Sequence, residues 1–251
     1  MLGEFVMVTL QDTVRQIGGA TEIDAALRAG APVGVILVER DTKDPAVLAV
    51  GEMAAAMGIR VRTVAPTVLG RVSRFDTPQR ILALVGRAPT ADLDEIIAGG
   101  GAVWLLVGVA YPSNAGMAIR TAEVSGAAGV IIDADFDAAA RRFALRISVR
   151  SDWYMPVFWE RAKEVLDRAA ARGRFIIGIE HVGTRAPWEV DLTGRPLLVV
   201  GGEADGIPQE VLERCHRLVR IPMAGFIPSY NLQAAVAAVA VERLRQKERL
   251  T

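Results

Sequence analysis

The chain has 251 residues, 51% hydrophobic and 23% charged, with 29 basic against 29 acidic side chains. This length and composition exclude intrinsic disorder and support one large core or two modest ones without help from a disulfide or a metal. A single cysteine, Cys215, excludes an intramolecular disulfide, and two histidines, His181 and His216, are too few for an ordinary zinc site, so metal-free chemistry is expected.

Taken in chain order, the N-terminal MLGEFVMVTL has no basic lead-in of the kind a targeting segment carries. Residues 12–30 read as a helix, with Val14, Ile17, Ile23, Ala26 and Leu27 at three- and four-residue spacing and Gly30 as the stop. A strand is expected at 33–39, a helix from Asp44 to Gly58, and strands at 59–64 and 80–85. These make an α/β unit of residues 1–90, and the polar RAPTADLD places a boundary at 87–92. From Arg60 to Arg87 six arginines (60, 62, 71, 74, 80, 87) face one acid, Asp76, and Arg141 to Arg150 holds four arginines and no acid. Such stretches are candidate phosphate contacts or simply solvated faces, since a net charge of zero announces no nucleic-acid partner by itself.

Residues 91–251 follow a different rhythm. Short apolar runs at 102–108, 129–133, 175–179, 196–201 and 217–222 alternate with helical stretches, the pattern of a parallel sheet covered on both faces. The longest nearly apolar stretch, 98–111, is too short to span a bilayer and carries four glycines, so a cytoplasmic protein without a membrane segment is expected. Residues 156–173 read as one helix beginning at Pro156 and ending at Gly173, and a last helix runs from about Asn231 to the C-terminus.

Parallel sheets bind ligands at the carboxyl ends of their strands, which directs attention to three loops. The first carries Asn114, at a position suited to capping a helix, and Arg120 beyond it. The second sets Gly201, Gly202 and Gly206 directly after a buried strand, where the backbone can approach a flat or charged ligand closely or simply make a tight turn. The third presents Ser229 and Asn231 before a helix, again potential caps. Neither the dinucleotide fingerprint nor a Gly-Lys-Ser/Thr phosphate loop is present.

In order, these loops match three motifs. Asn114 is followed six residues later by Arg120-Thr121; Gly201, Glu203 and Gly206 are followed by Cys215; Ile221-Pro222-Met223, Gly225, Ser229 and Asn231 complete the third. The chain thereby resembles the SpoU-type (TrmH-like) RNA ribose 2′-O-methyltransferases of the SPOUT superfamily, strongly over residues 90–251. It departs from their usual pattern at Gly202, Tyr230 and Gln233. The first ninety residues resemble the substrate-binding domain that precedes the catalytic domain in one branch of that family.

The resemblance implies a catalytic α/β domain with a parallel sheet and a deep trefoil knot, a small RNA-binding domain before it, and a homodimer. It implies S-adenosylmethionine as cofactor, held by Gly201, Ile221 and Tyr230 with Val200, Gly202 and Met223 nearby, and RNA as substrate, ribosomal RNA before transfer RNA. Arg120 would hold the phosphate and the hydroxyl while the phosphate or a water takes the proton, because a guanidinium is a reluctant base. Glu203 would orient an arginine, and Asn114, Ser229 and Asn231 would position the ribose or tie the loops together. Cys215 is read as a core cysteine, and His181 and His216 as non-catalytic. Two other classes stay open: a non-catalytic RNA-binding or ribosome-assembly protein of the same fold, and a dinucleotide-dependent oxidoreductase, which would leave the Asn, Arg and Ser motif residues unexplained.

Overall fold

The computed structural model describes residues 15–86, 89–227 and 229–248. The chain divides into two units, Met1–Gly86 and Arg87–Thr251. Positions 12–14 of the first expected helix, Arg87 of the arginine cluster and the last three residues lie outside the described residues.

In the first unit the order is β1 (Arg15–Gly18), α1 (Ala20–Arg28), β2 (Val33–Glu39), α2 (Pro45–Ala56), β3 (Arg60–Val64), α3 (Pro66–Val72) and β4 (Ile81–Val85). The sheet runs β1-β4-β2-β3, with β2 and β3 parallel and the other pairs antiparallel. Its helix-facing core joins Ile23 and Leu27 of α1 and Val47, Val50 and Ala54 of α2 to Ile36, Val38, Ile81 and Ala83 of the strands. Asp44 starts α2 by accepting the Ala46 N–H at 3.0 Å.

The expected helix over 12–30 is corrected here: residues 15–18 pair antiparallel with β4, and the helix begins only at Ala20. Gly19, at φ 88, makes the break, in a region where a side chain would be strained. A helical spacing that counted Ile17 joined a strand to the helix after it. The short helix α3 went unanticipated, although Pro66 stands at its first position.

The second unit runs α4 (Leu93–Ala98), β5 (Val103–Val107), α5 (Pro112–Val124), β6 (Gly129–Asp133), α6 (Ala138–Ile147), β7 (Val157–Trp159), α7 (Ala162–Ala171), β8 (Phe175–Ile179), β9 (Pro196–Gly201), α8 (Gln209–Leu212), β10 (Arg217–Val219) and α9 (Leu232–Glu248). The six strands pair in the order β10-β8-β9-β5-β6-β7, all parallel. Both faces are covered. Alternate residues of β5 face opposite cores: Trp104 and Leu106 meet α5 and α9, while Val103, Leu105 and Val107 meet α4 and α7. Among the described residues no helix is long and apolar enough to cross a membrane.

The expected helix over 156–173 is also corrected. Val157-Phe158-Trp159 is an edge strand on β6, and α7 starts at Ala162. One β-branched and two aromatic residues favour the pleated edge, and Asp133 fixes the helix start by accepting the Ala162 N–H at 2.8 Å.

A single buried arginine gathers the amino-terminal edge of this sheet. Arg174 is 1% exposed and reaches six main-chain oxygens: Ile96 (2.7 Å), Ile97 (2.8 Å), Gly99 (2.9 Å), Gly101 (3.0 Å), Arg195 (3.1 Å) and Pro196 (3.0 Å). The guanidinium fork saturates carbonyls that α4, ending at Ala98, leaves without helical partners, and it fastens α4 to the starts of β8 and β9. Arg174→Met should therefore destabilise the protein by about 3–5 kcal/mol, because removing one side of a buried charged network leaves its acceptors bare. Denaturant unfolding followed by circular dichroism checks this; a loss under about 1 kcal/mol would show that the carbonyls find other donors.

Candidate active site

The carboxyl ends of β5, β8, β9 and β10 carry the loops from which the site is built. Between β5 and β9 the backbone comes very close: Gly202 donates its N–H to Val107 O at 2.7 Å, and a Cβ on Gly202 would lie 1.9 Å from Gly108 O. Gly108 itself sits at φ 68. Only glycine fits at position 202, which gives a local reason for the departure at Gly202. The loop then closes on itself through a Gly202–Gly206 bridge, and a Cβ on Gly201 would meet the Gly206 carbonyl carbon at 2.1 Å. Gly201 is thus demanded by the loop's own return.

Glu203 locks this approach. Its carboxylate accepts the Ala110 N–H at 3.0 Å and the side-chain amide of Asn114. Two expectations change. Asn114 does not cap α5; Tyr111 is the cap residue, Pro112 takes the first turn, and the Asn114 amide turns to Glu203. Among the described residues Glu203 correspondingly holds an asparagine and a main-chain N–H, not an arginine.

Arg120 is exposed on α5 and, among the described residues, makes no hydrogen bond or ion pair. Six residues of helix separate it from Asn114 by about 9 Å along the axis and about 120° around it, so the two side chains are not brought together. In the loop after β10, Tyr230 donates its hydroxyl to Pro222 O at 3.0 Å and closes the segment. Asn231 caps α9 by accepting the Gln233 N–H at 3.0 Å, and Ser229 is exposed beside it.

The expected cofactor residues fall around this segment. Val200 is buried beneath it, Ile221 and Met223 are half-buried, and Tyr230 is half-exposed. Phe226 and Ile227 project fully into solvent next to them. Apolar faces and close main-chain approach are what an adenine base and a short polar tail need, so the residues fit S-adenosylmethionine in kind. A separate cavity of about 380 Å³ opens at the carboxyl ends of β5 and β6, bordered by Gly108, Ala110, Asp133, Phe136, Arg161 and Pro208. Arg161 there is tied to Asp135 and Asp133, which raise its pKa.

Sequence reasoning missed the loop after β8. Glu180 accepts the N–H groups of His181 (2.9 Å) and Ile207 (2.8 Å) and lies 2.7 Å from the His181 ring. Burial works to raise its pKa, but these bonds outweigh it and hold the carboxyl below its ordinary range. The signal available was position: FIIGI ends directly in Glu180-His181, at the same edge as the three loops singled out. Burial pushes the Cys215 thiol up to about 11, as suits an inert packing group, and its sulfur lies against Gly178. The His216 ring accepts the Ile176 N–H at 3.0 Å and stacks on Phe175.

Comparison with known proteins places this geometry in context. Residues 102–241 match the SpoU rRNA Methylase family, and residues 16–91 match the family described as RNA 2′-O ribose methyltransferase substrate binding. The chain is 31% identical over 219 residues to the 23S rRNA (guanosine-2′-O-)-methyltransferase RlmB of Xanthomonas axonopodis pv. citri, covering 84% of this chain and 88% of that one. Among solved structures it resembles an RNA 2′-O ribose methyltransferase, with 28% identity, a TM-score of 0.57, and coverage of 93% of this chain and 88% of the other. It also resembles the SpoU methyltransferase AviRb of Streptomyces viridochromogenes in complex with AdoMet, at 26% identity and TM-score 0.57, covering 93% and 90% of the two chains.

Because Gly202 has no room for a side chain, Gly202→Ala should push the loops after β5 and β9 apart and weaken both Glu203 bonds. A loss of about 1–3 kcal/mol in unfolding free energy is expected, the usual result of forcing an extra methyl into packed surroundings. An alanine variant as stable as the parent would mean that the two loops are not held in contact.

Proposed function

We propose that this chain, which belongs to the SpoU rRNA methylase family, transfers the methyl group of S-adenosylmethionine to a ribose 2′-hydroxyl of ribosomal RNA. The observation that carries this reading is the Glu203 bridge. It joins Ala110 of the loop after β5 and Asn114 in the first turn of α5 to the glycine loop after β9, at the sheet edge where the loop of Ile221, Met223 and Tyr230 also lies.

Bound S-adenosylmethionine supplies a methyl group open to in-line attack, and everything else falls to this chain's residues. Gly201, Gly202, Ile221, Met223 and Tyr230, above Val200, hold the cofactor and exclude water. Arg120, a free exposed cation, binds the phosphate beside the target nucleotide and keeps the 2′-hydroxyl in line, where proximity alone removes much of the barrier. Asn114, fixed by Glu203, and Ser229, beside the Asn231 cap, position the ribose. The trefoil knot implied by the resemblance would lie in these same loops.

The first unit fits a substrate-holding role. Arg60, Arg71, Arg74 and Arg80 are exposed on it, and guanidinium groups are suited to phosphate. We read the working form as a cytoplasmic homodimer acting on large-subunit ribosomal RNA, the substrate class carried in the names of the similar methyltransferases.

Arg120→Ala should lower turnover by a factor on the order of 10² to 10³, the loss expected when one preorganised charge-stabilising donor is removed. Affinity for S-adenosylmethionine, read by calorimetry, should stay within about twofold, and lysine should rescue only in part because it lacks the planar fork. Wild-type turnover of the alanine variant under saturating RNA and cofactor would overturn the role given to Arg120.

A further inference from the structure

A ribose 2′-hydroxyl attacks well only as its proton leaves, and Arg120 is a poor acceptor for that proton. Of the residues singled out from sequence, the one carboxylate, Glu203, is engaged by the Ala110 N–H and the Asn114 amide. The loop after β8 contains a base already oriented.

Glu180 stands at the end of β8, its side chain 14% exposed, with three partners: the His181 N–H, the Ile207 N–H and the His181 ring Nδ1 at 2.7 Å. Its depressed pKa keeps it ionised near neutral pH, and a carboxylate only accepts hydrogen bonds. Nδ1 therefore donates to Glu180, and in the neutral form of the ring this places the basic lone pair on Nε2, on a side chain that is 64% exposed. A carboxylate fixing the tautomer of an accessible imidazole is the arrangement of a general base and its orienting partner.

The dyad's position is fixed from both sides. Toward β10, the Glu180 N–H donates to Val219 O at 2.9 Å, and a Cβ on Gly183 would lie 2.6 Å from the Val219 carbonyl carbon. Toward β9, Glu180 holds Ile207, at the far end of the same small loop whose near end is held by Glu203 and Asn114. Strands β8, β9 and β5 are consecutive neighbours, so the ends of β8 and β5 lie about 10 Å apart, the scale of one nucleotide.

From this placement we infer that His181 is the proton acceptor of the methyl transfer, with Glu180 as its positioning residue. The inference rests on the methyltransferase reading above. In the step, the O2′–H proton passes to Nε2, the O2′ lone pair forms the new bond to the methyl carbon, and the carbon–sulfur pair leaves with sulfur as a neutral thioether. The His181 imidazolium, balanced by Glu180, then returns its proton to water. Other charged groups around these loops are Arg185 (paired to Glu189 at 4.0 Å) in the loop after β8, Asp205 on the glycine loop and Arg220 after β10; among the described residues only Glu180 bonds the ring.

The test uses the full chain with ribosomal RNA and S-adenosylmethionine. His181→Asn keeps a donor for Glu180 but has no Nε2, and should lower kcat on the order of 10²-fold with cofactor affinity unchanged. Glu180→Gln, which no longer demands the proton on Nδ1, should lower kcat without raising KM for the cofactor. Apart from activity, the His181 ring resonances of the isotope-labelled protein should move when S-adenosylhomocysteine and RNA are added together.

A His181→Asn enzyme with wild-type kcat would overturn the assignment, as would ring resonances that ignore the ligands. If that variant fails to fold, as judged by its unfolding midpoint, Glu180→Gln and the wild-type resonances decide. Absence of methyl transfer by the wild-type protein would overturn the underlying reading as well, whereas a competent wild type with an indifferent His181 overturns this inference alone.

Discussion

The contact between the loops after β5 and β9 is the constraint on which the site depends. Parallel strands deliver their carboxyl ends to one edge, but loops leaving neighbouring strands would ordinarily diverge with their helices. Here Gly202 and Gly108 carry no side chains to keep them apart, and the Gly202 N–H bonds to Val107 O. Once that approach is made, Glu203 can span it to Ala110 and Asn114. A second carboxylate, Glu180, performs the matching task at the other end of the loop by holding Ile207. The glycines permit the geometry, and the two acids hold it.

Rigidity beneath the loops comes from the sheet. Its central strands β5 and β9 are buried on both faces, so a shift in register would carry core residues out of both cores at once. Arg174 ties the opposite edge, where α4, β8 and β9 begin, through main-chain oxygens. The working loops thus rest on strands fixed at their far ends, and Arg120, Phe226, Ile227 and Tyr230 are exposed where a ligand can meet them.

Much of this was legible before any coordinates. Five apolar runs located five strands of the parallel sheet, because strands covered on both faces read as unbroken hydrophobic segments. The edge strand β7 was hidden in an expected helix, since three residues after a proline are too few to show a two-residue period. β1 was absorbed into α1 because its four residues are likewise too few to show that period. At the site, the identities of Asn114 and Glu203 were readable, but their bond was not: the pair is 89 residues apart, and an asparagine near a helix start has a capping role as its local explanation. Glu180 and His181 carried no motif; only the fold, by placing β8 next to β9, gives them an address.

The central claim is that this edge methylates ribose in RNA, and the chemistry of the product tests it directly. A 2′-O-methyl group removes the internal nucleophile on which alkaline cleavage of RNA depends. Ribosomal RNA incubated with the protein and S-adenosylmethionine labelled in its methyl group should yield, after complete alkaline hydrolysis, label confined to an alkali-resistant dinucleotide from a single position. Label released as mononucleotides carrying a methylated base, or no incorporation into any RNA, would contradict the account.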